Sequence, residues 1–202
     1  NEMIQDFFKP FFSGIFLETE LGTSSRMFEF VYKMFGEGHA TIPKSGIEAI
    51  PKQLLSNLKT TTFNYNTKVE SLKDGKIILE NGSLLESHYT IVASEASGLI
   101  SNLKNQSIEW KSCTTLYFET ETRVINKRLI GLISKSGSLI NNIFYNSSLK
   151  SATTPLKEIL SVTVIDRRGL SNESLIEAVR TELTELCGIT ATSFIKLYNI
   201  PR

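Results

Sequence analysis

Residues Thr23–Leu58 read TSSRMFEFVYKMFGEGHATIPKSGIEAIPKQLLSNL: a helix, a glycine-broken loop, then a second helix. The rest of the chain is expected to be organised around this stretch. Met27, Phe30, Val31, Met34 and Phe35 recur at helical spacing behind a Thr23/Ser24 start signal, and Gly36 stops the run. Ser45 and Glu48 stand at the spacing of a capping box, worth about 1 kcal/mol. Ile47, Ile50, Leu54, Leu55 and Leu58 follow them or lie between. Pro51 disturbs the pattern, because a proline past the first turn removes a backbone hydrogen bond. The regular helix is therefore expected from about Pro51 to Leu58, after an irregular first turn. Gly36-Glu37-Gly38 holds a GxG, but it follows a helix and lacks the third glycine. A dinucleotide fingerprint needs a strand before it and a helix after it, so that phosphate meets free N–H groups. A helix-ending loop is the better reading.

Upstream, Ile4, Phe7, Phe8, Phe11, Phe12 and Phe16 are interrupted by Lys9-Pro10. This predicts a short helix to about Phe8, a proline break and a second short element. The phenylalanines read first as core packing.

Downstream of Thr61 the apolar period changes to two. Lys68–Leu72, Lys76–Leu79 and Leu84–Glu86 are separated by Asp74-Gly75 and Asn81-Gly82, the turn dipeptides of tight hairpins. They predict a three-stranded meander, with Phe63–Tyr65 alternating just before it. Thr90-Ile91-Val92-Ala93-Ser94, within Tyr89–Ser94, is continuously apolar, as a strand buried on both faces should be. A short helix over about Ser97–Leu103 follows.

From Ser112 to Ile165 the runs Cys113–Glu119, Arg128–Ile133, Leu139–Tyr145 and Ile159–Ile165 are rich in β-branched and aromatic residues. No long helix intervenes, so antiparallel neighbours are favoured. Ser171 or Asn172 caps a helix holding Leu175, Ile176, Val179, Leu183 and Leu186, and Gly188 ends it. A last strand, about Ser193–Leu197, joins this sheet. The fold class is α+β: an antiparallel or mixed sheet with a packed helix, beside a meander with helices.

The 202 residues are enough for one large or two small domains. Hydrophobic residues make up 41% and charged ones 21%, ordinary for a globular protein. Lys+Arg 22 against Asp+Glu 21 leaves +1, so no basic face argues for nucleic acid. No apolar run approaches the roughly 18 residues of a membrane span, and no signal peptide is visible. Cys113 and Cys187 have no partner motif, which reads as free buried thiols in a cytoplasmic protein. His39 and His88 stand apart from any Cys or carboxylate cluster, so no metal site is expected. No catalytic residue is identified. Asp166-Arg167-Arg168-Gly169 reads as a strand-ending turn rather than an anion clamp. The start at Asn1, running at once into an aromatic segment, reads as that of an excised piece.

The run from Phe11 to Leu58 resembles the middle of the flavin-containing amine oxidase and phytoene desaturase-like FAD-dependent oxidoreductase superfamily. There an aromatic-rich helical segment leads into "P-x-x-G-[GMI]-x-x-[IL]-P-x-x-L", and a meander begins with a "T-x-V" strand. Here those pieces are Pro43, Gly46, Ile50, Pro51 and Leu54, then Thr67, Lys68 and Val69. More weakly, Tyr198-Asn199-Ile200-Pro201-Arg202 is similar to the segment preceding the C-terminal flavin motif. The resemblance implies dehydrogenation of a small apolar or amine substrate by hydride transfer to flavin, where the cofactor carries the chemistry. It implies that Val69, Ala93 and Ser94 face FAD in the full-length parent, and that residues 7–35 help to wall the substrate cavity. The glycine-rich loop and the C-terminal "G-D" segment are not in this chain, so FAD is not expected to bind it alone. On this reading residues 1–42 are a helical part of the substrate-binding region and 43–110 a partial FAD domain. Residues 111–202 are then the substrate-domain sheet with its helix at 173–187. The alternative is a stand-alone ligand-binding or assembly module without enzymatic activity; the gene sequence upstream of Asn1 separates the two.

Overall fold

Alternating apolar side chains after Ser112 decide where the core sits. The computed structural model describes residues 2–103, 109–149 and 157–200. Its elements are α1 (Lys9–Phe16), α2 (Ser25–Glu37), α3 (Ala49–Asn57), β1 (Val69–Lys73), β2 (Lys76–Leu79) and β3 (Leu84–Glu86). After these come β4 (Cys113–Thr120), β5 (Gly131–Leu132), β6 (Ile140–Tyr145), β7 (Glu158–Val164), α4 (Asn172–Cys187) and β8 (Ala191–Ile200). The α+β expectation holds, and every ladder between strands is antiparallel. The chain divides into two compact units, one of residues 1–52 with 110–202, the other of residues 53–109.

In the first unit five strands run in the order β5-β6-β7-β4-β8. One face carries Leu116 and Phe118 of β4, Leu160, Val162 and Val164 of β7, and Ile140, Ile143 and Tyr145 of β6, all buried. Leu175, Val179 and Leu183 of α4 complete that core with no exposed surface. Fully burying such side chains contributes about 1.5–3 kcal/mol each. The helix ends are those the sequence predicts. The Ser171 hydroxyl accepts from Ser174 N–H at 3.2 Å, and Gly188 closes the helix at φ 64, a left-handed conformation that favours glycine. Sheet polar groups are satisfied locally: the Glu182 carboxylate accepts from Leu139 N–H at 2.9 Å and Ile140 N–H at 3.1 Å.

The N-terminal helices differ from expectation in instructive ways. Pro10 does not break the chain. Ile4–Phe8 form a π-helical turn that passes directly into α1, with Pro10 in the first turn. There a missing N–H costs little. α1 packs on β6, where Asn141 donates to the Pro10 carbonyl at 3.0 Å. Gly14 permits that approach, since a Cβ there would stand 2.6 Å from Asn141 Oδ1. α2 begins at the Ser24 cap but runs past Gly36 to Glu37. The Ser45/Glu48 capping box does not form. Glu48 instead pairs with Lys52 at 3.0 Å, and α3 begins at Ala49 so that Pro51 falls in its first turn. Neither α2 nor α3 buries a residue, so the stretch expected to organise the chain is not its core.

In the second unit β1, β2 and β3 form the expected meander, in that order. Phe63–Tyr65 stay outside it. The strand expected at Tyr89–Ser94 is not formed: the segment is irregular, with Tyr89 94% and Ile91 92% exposed. A strand buried on both faces needs layers packed above and below it, and the described residues leave this segment uncovered. The helix expected over Ser97–Leu103 shrinks to a 3-10 turn at Ser101–Leu103. In the first unit, likewise, Arg128–Ile133 pairs only at Gly131 and Leu132. Cys113 and Cys187 are free thiols, raised by burial.

Candidate functional site

Pleating puts the partners of the core residues on the opposite face of the five-stranded sheet. There Thr115 and Tyr117 of β4 and Ile159 of β7 are half-buried, although α4 covers only the other face. Tyr117 stands opposite Lys196 of β8, and Thr115 opposite Tyr198. A register shift between Tyr117 and Phe118 turns out an extra residue, Ile195, beside them. Together with Ile200 and Asn146 these side chains line an open cleft of about 660 Å³.

The cleft is mainly apolar and aromatic. Tyr117 and Tyr198 meet edge to face, their centroids 5.8 Å apart at 87°. The Lys196 ammonium lies 4.4 Å from the Tyr198 ring centroid, a cation–π contact. Asn146 Oδ1 is buried without a hydrogen-bond partner among the described residues. Glu119 on the same face is engaged: Lys157 Nζ donates at 2.8 Å and Ser193 Oγ at 2.7 Å, and these bonds hold its carboxyl below the ordinary range. Such a floor can hold an apolar body and orient it by a few polar groups.

A second cleft of about 290 Å³ lies between α1 and residues 133–141, the loop before β6 and its first two residues. Beside it, Asp166–Gly169 is a turn. Asp166 Oδ1 accepts from Arg168 N–H at 2.8 Å, and Arg168 and Gly169 adopt φ 50 and 72. Arg167 donates to the Leu170 carbonyl at 2.9 Å and Arg168 to the Ser138 carbonyl at 3.0 Å. Both arginines tie loops together, in agreement with the strand-ending reading.

The residues singled out from the resemblance lie elsewhere. Val69 opens β1, half-buried opposite Leu79, whereas Ala93 and Ser94 are exposed in the irregular segment after β3. All three belong to the second unit. They offer backbone groups, but among the described residues no α-helix begins within that unit, and Gly36–Gly38 stands at a helix C-terminal end. The described residues of that unit therefore lack the N–H cradle that a flavin pyrophosphate needs. Phe30 and Met34 are exposed and line neither cleft, while Phe28 meets Phe12 of α1 and Tyr32 meets Phe8 of the preceding π-helical turn, both at tilted angles. Phe12 alone of that aromatic cluster is fully buried. His39 and His88 are exposed. Among the described residues no group of three His, Cys, Asp or Glu is placed to hold a metal, and no helix is long and apolar enough to cross a membrane. Pro201 and Arg202 lie outside the described residues. Tyr117 and Ile159 were legible in the sequence as large side chains out of phase with the core residues of their strands.

Comparison with known proteins places this architecture. No curated protein matches the chain. A structure assigned as a protoporphyrinogen oxidase from Exiguobacterium sp. 255-15 is similar over 99% of this chain and 52% of its own, at TM-score 0.63 and 18% identity. Reduced UDP-galactopyranose mutase is similar over 99% of this chain and 53% of its own, at TM-score 0.62 and 12% identity. The PF1083 protein from Pyrococcus furiosus matches 67% of this chain and 37% of its own, at TM-score 0.51 and 14% identity. At these identities the likeness is one of fold, and the chain spans about half the length of the first of them. The sequence model of flavin containing amine oxidoreductases matches residues 1–198, nearly the whole chain. With the meander, the covering helix and all but the last two residues of the five-stranded sheet inside that match, the chain belongs to the flavin-containing amine oxidoreductase family.

Proposed function

We propose that this chain is the substrate-binding portion, with the meander of the flavin domain, of an FAD-dependent oxidoreductase that dehydrogenates a small apolar or amine molecule. Residues 1–42 and 111–202 form the substrate part on this reading, and residues 43–110 the flavin-domain part. FAD, held mainly by residues outside this chain with Val69, Ala93 and Ser94 at one edge, would be the hydride acceptor. The observation that carries the proposal is the sheet face of Thr115, Tyr117, Ile159, Ile195 and Tyr198, apolar yet left open above a well-packed core. Its residues bind and orient the substrate and keep water away from it. Two free thiols support a reducing, cytoplasmic setting.

The test uses the complete gene product. Anaerobic mixing with a panel of apolar amines and acids should bleach the oxidised flavin with at least one member. Tyr117→Ala should slow that bleaching at least tenfold while flavin content stays constant. A gene product without flavin, or bleaching indifferent to Tyr117, would overturn the reading.

A further inference from the structure

We propose that the sheet-face cleft selects an apolar molecule carrying a carboxylate, held by Lys196, over one carrying a protonated amine. The inference rests on the reading of this cleft as the substrate floor, and it narrows the substrate class.

Lys196 stands opposite Tyr117 in the ladder, on the face that lines the cleft. Its ammonium, 4.4 Å from the Tyr198 ring centroid, is positioned by a quadrupole that carries no net charge. The charge is thus oriented without being neutralised. Among the described residues Lys196 makes no ion pair. The carboxylate of Glu119, on the same face, is occupied by Lys157 and Ser193. Among the described residues the cleft therefore holds one uncompensated positive charge beside apolar walls at Ile159, Ile195 and Ile200.

A ligand entering such a cleft displaces water and lowers the local dielectric, which strengthens whatever charge interaction remains. A carboxylate then gains a charge-assisted hydrogen bond from the lysine. An ammonium meets a like charge instead. Asn146, which also lines the cleft, supplies no counter-charge for an ammonium.

The experiment is calorimetric titration of the complete gene product with phenylbutyrate, phenylbutylamine and phenylbutanol, which share one apolar body. The acid should bind about five- to tenfold more tightly than the amine. Lys196→Gln, on an exposed edge strand, should erase that preference, and Lys196→Glu should reverse it. Tyr117→Ala should weaken all three ligands alike. An amine that binds as tightly as the acid, or a preference that survives Lys196→Gln, overturns the carboxylate assignment; if Tyr117→Ala still weakens every ligand, the floor itself stands. Ligands indifferent to Tyr117→Ala overturn the floor and the assignment together.

Discussion

The ring of Tyr117 on β4 meets the ring of Tyr198 on β8 edge to face, 5.8 Å between centroids. Such a pair contributes about 0.5–1.5 kcal/mol beyond its buried area. Here it joins the last two strands of the sheet on the face that α4 leaves open. The same two strands close the core from the other side through Leu116 and Leu197, which stand opposite each other. One pair of strands thus serves as foundation on one face and as cleft floor on the other.

The foundation can be measured. Leu183 is fully buried among the sheet residues. Leu183→Ala removes that packing and leaves a cavity, so urea unfolding should show a loss of about 2–5 kcal/mol. A loss under about 0.5 kcal/mol would mean that α4 does not pack there.

Acid stability has a named contributor. The hydrogen bond from Lys111 to Glu18, with further bonds from Thr23, holds the Glu18 carboxyl at about 2 instead of 4.5. A carboxyl lowered in the folded state stabilises above its ordinary range, and the gain is lost as pH falls through the folded value. Unfolding midpoints should therefore fall between pH 4.5 and about 2, less steeply in Glu18→Gln. Equal slopes in the two proteins would remove Glu18 from the account.

Elements that satisfy themselves locally were legible in the sequence. The Asp74-Gly75 and Asn81-Gly82 turns, the Ser171 cap and the Gly188 stop each declared themselves within a few residues, and each is where it was expected. Features that depend on distant partners were not. The apolar Thr90–Ser94 run has the composition of a buried strand but pairs with no strand among the described residues, and Pro10 was absorbed into the first turn of α1 behind a π turn whose signal is not local. Tyr198 lay beyond the strand expected at about Ser193–Leu197, because only the register of β4 and β8 carries that strand on to Ile200 and sets Tyr198 beside Tyr117. The family motif pointed to Val69 and Ser94, and composition could not say that these residues stand in a different unit from the cleft.

The 202-residue chain by itself should not bind FAD tightly. Backbone contacts at Val69 and near Ser94 are worth about 0.5–1.5 kcal/mol each. Association costs an estimated 4–15 kcal/mol before any gain appears. Titration followed by flavin fluorescence should show no low-micromolar affinity. Saturation in that range would mean that a segment assigned here to structure makes a cofactor site.

The most direct test fills the cleft. Ile159 lies half-buried on the open face, beside core residues but not among them. Ile159→Trp places an indole in the cleft and should leave the melting temperature and flavin content of the complete gene product within error. For whichever compound bleaches the flavin, kcat/KM should fall at least tenfold, about 1.4 kcal/mol or more of lost transition-state binding. Unchanged kcat/KM in a folded, flavin-loaded Ile159→Trp protein would contradict the assignment of this sheet face as the substrate floor.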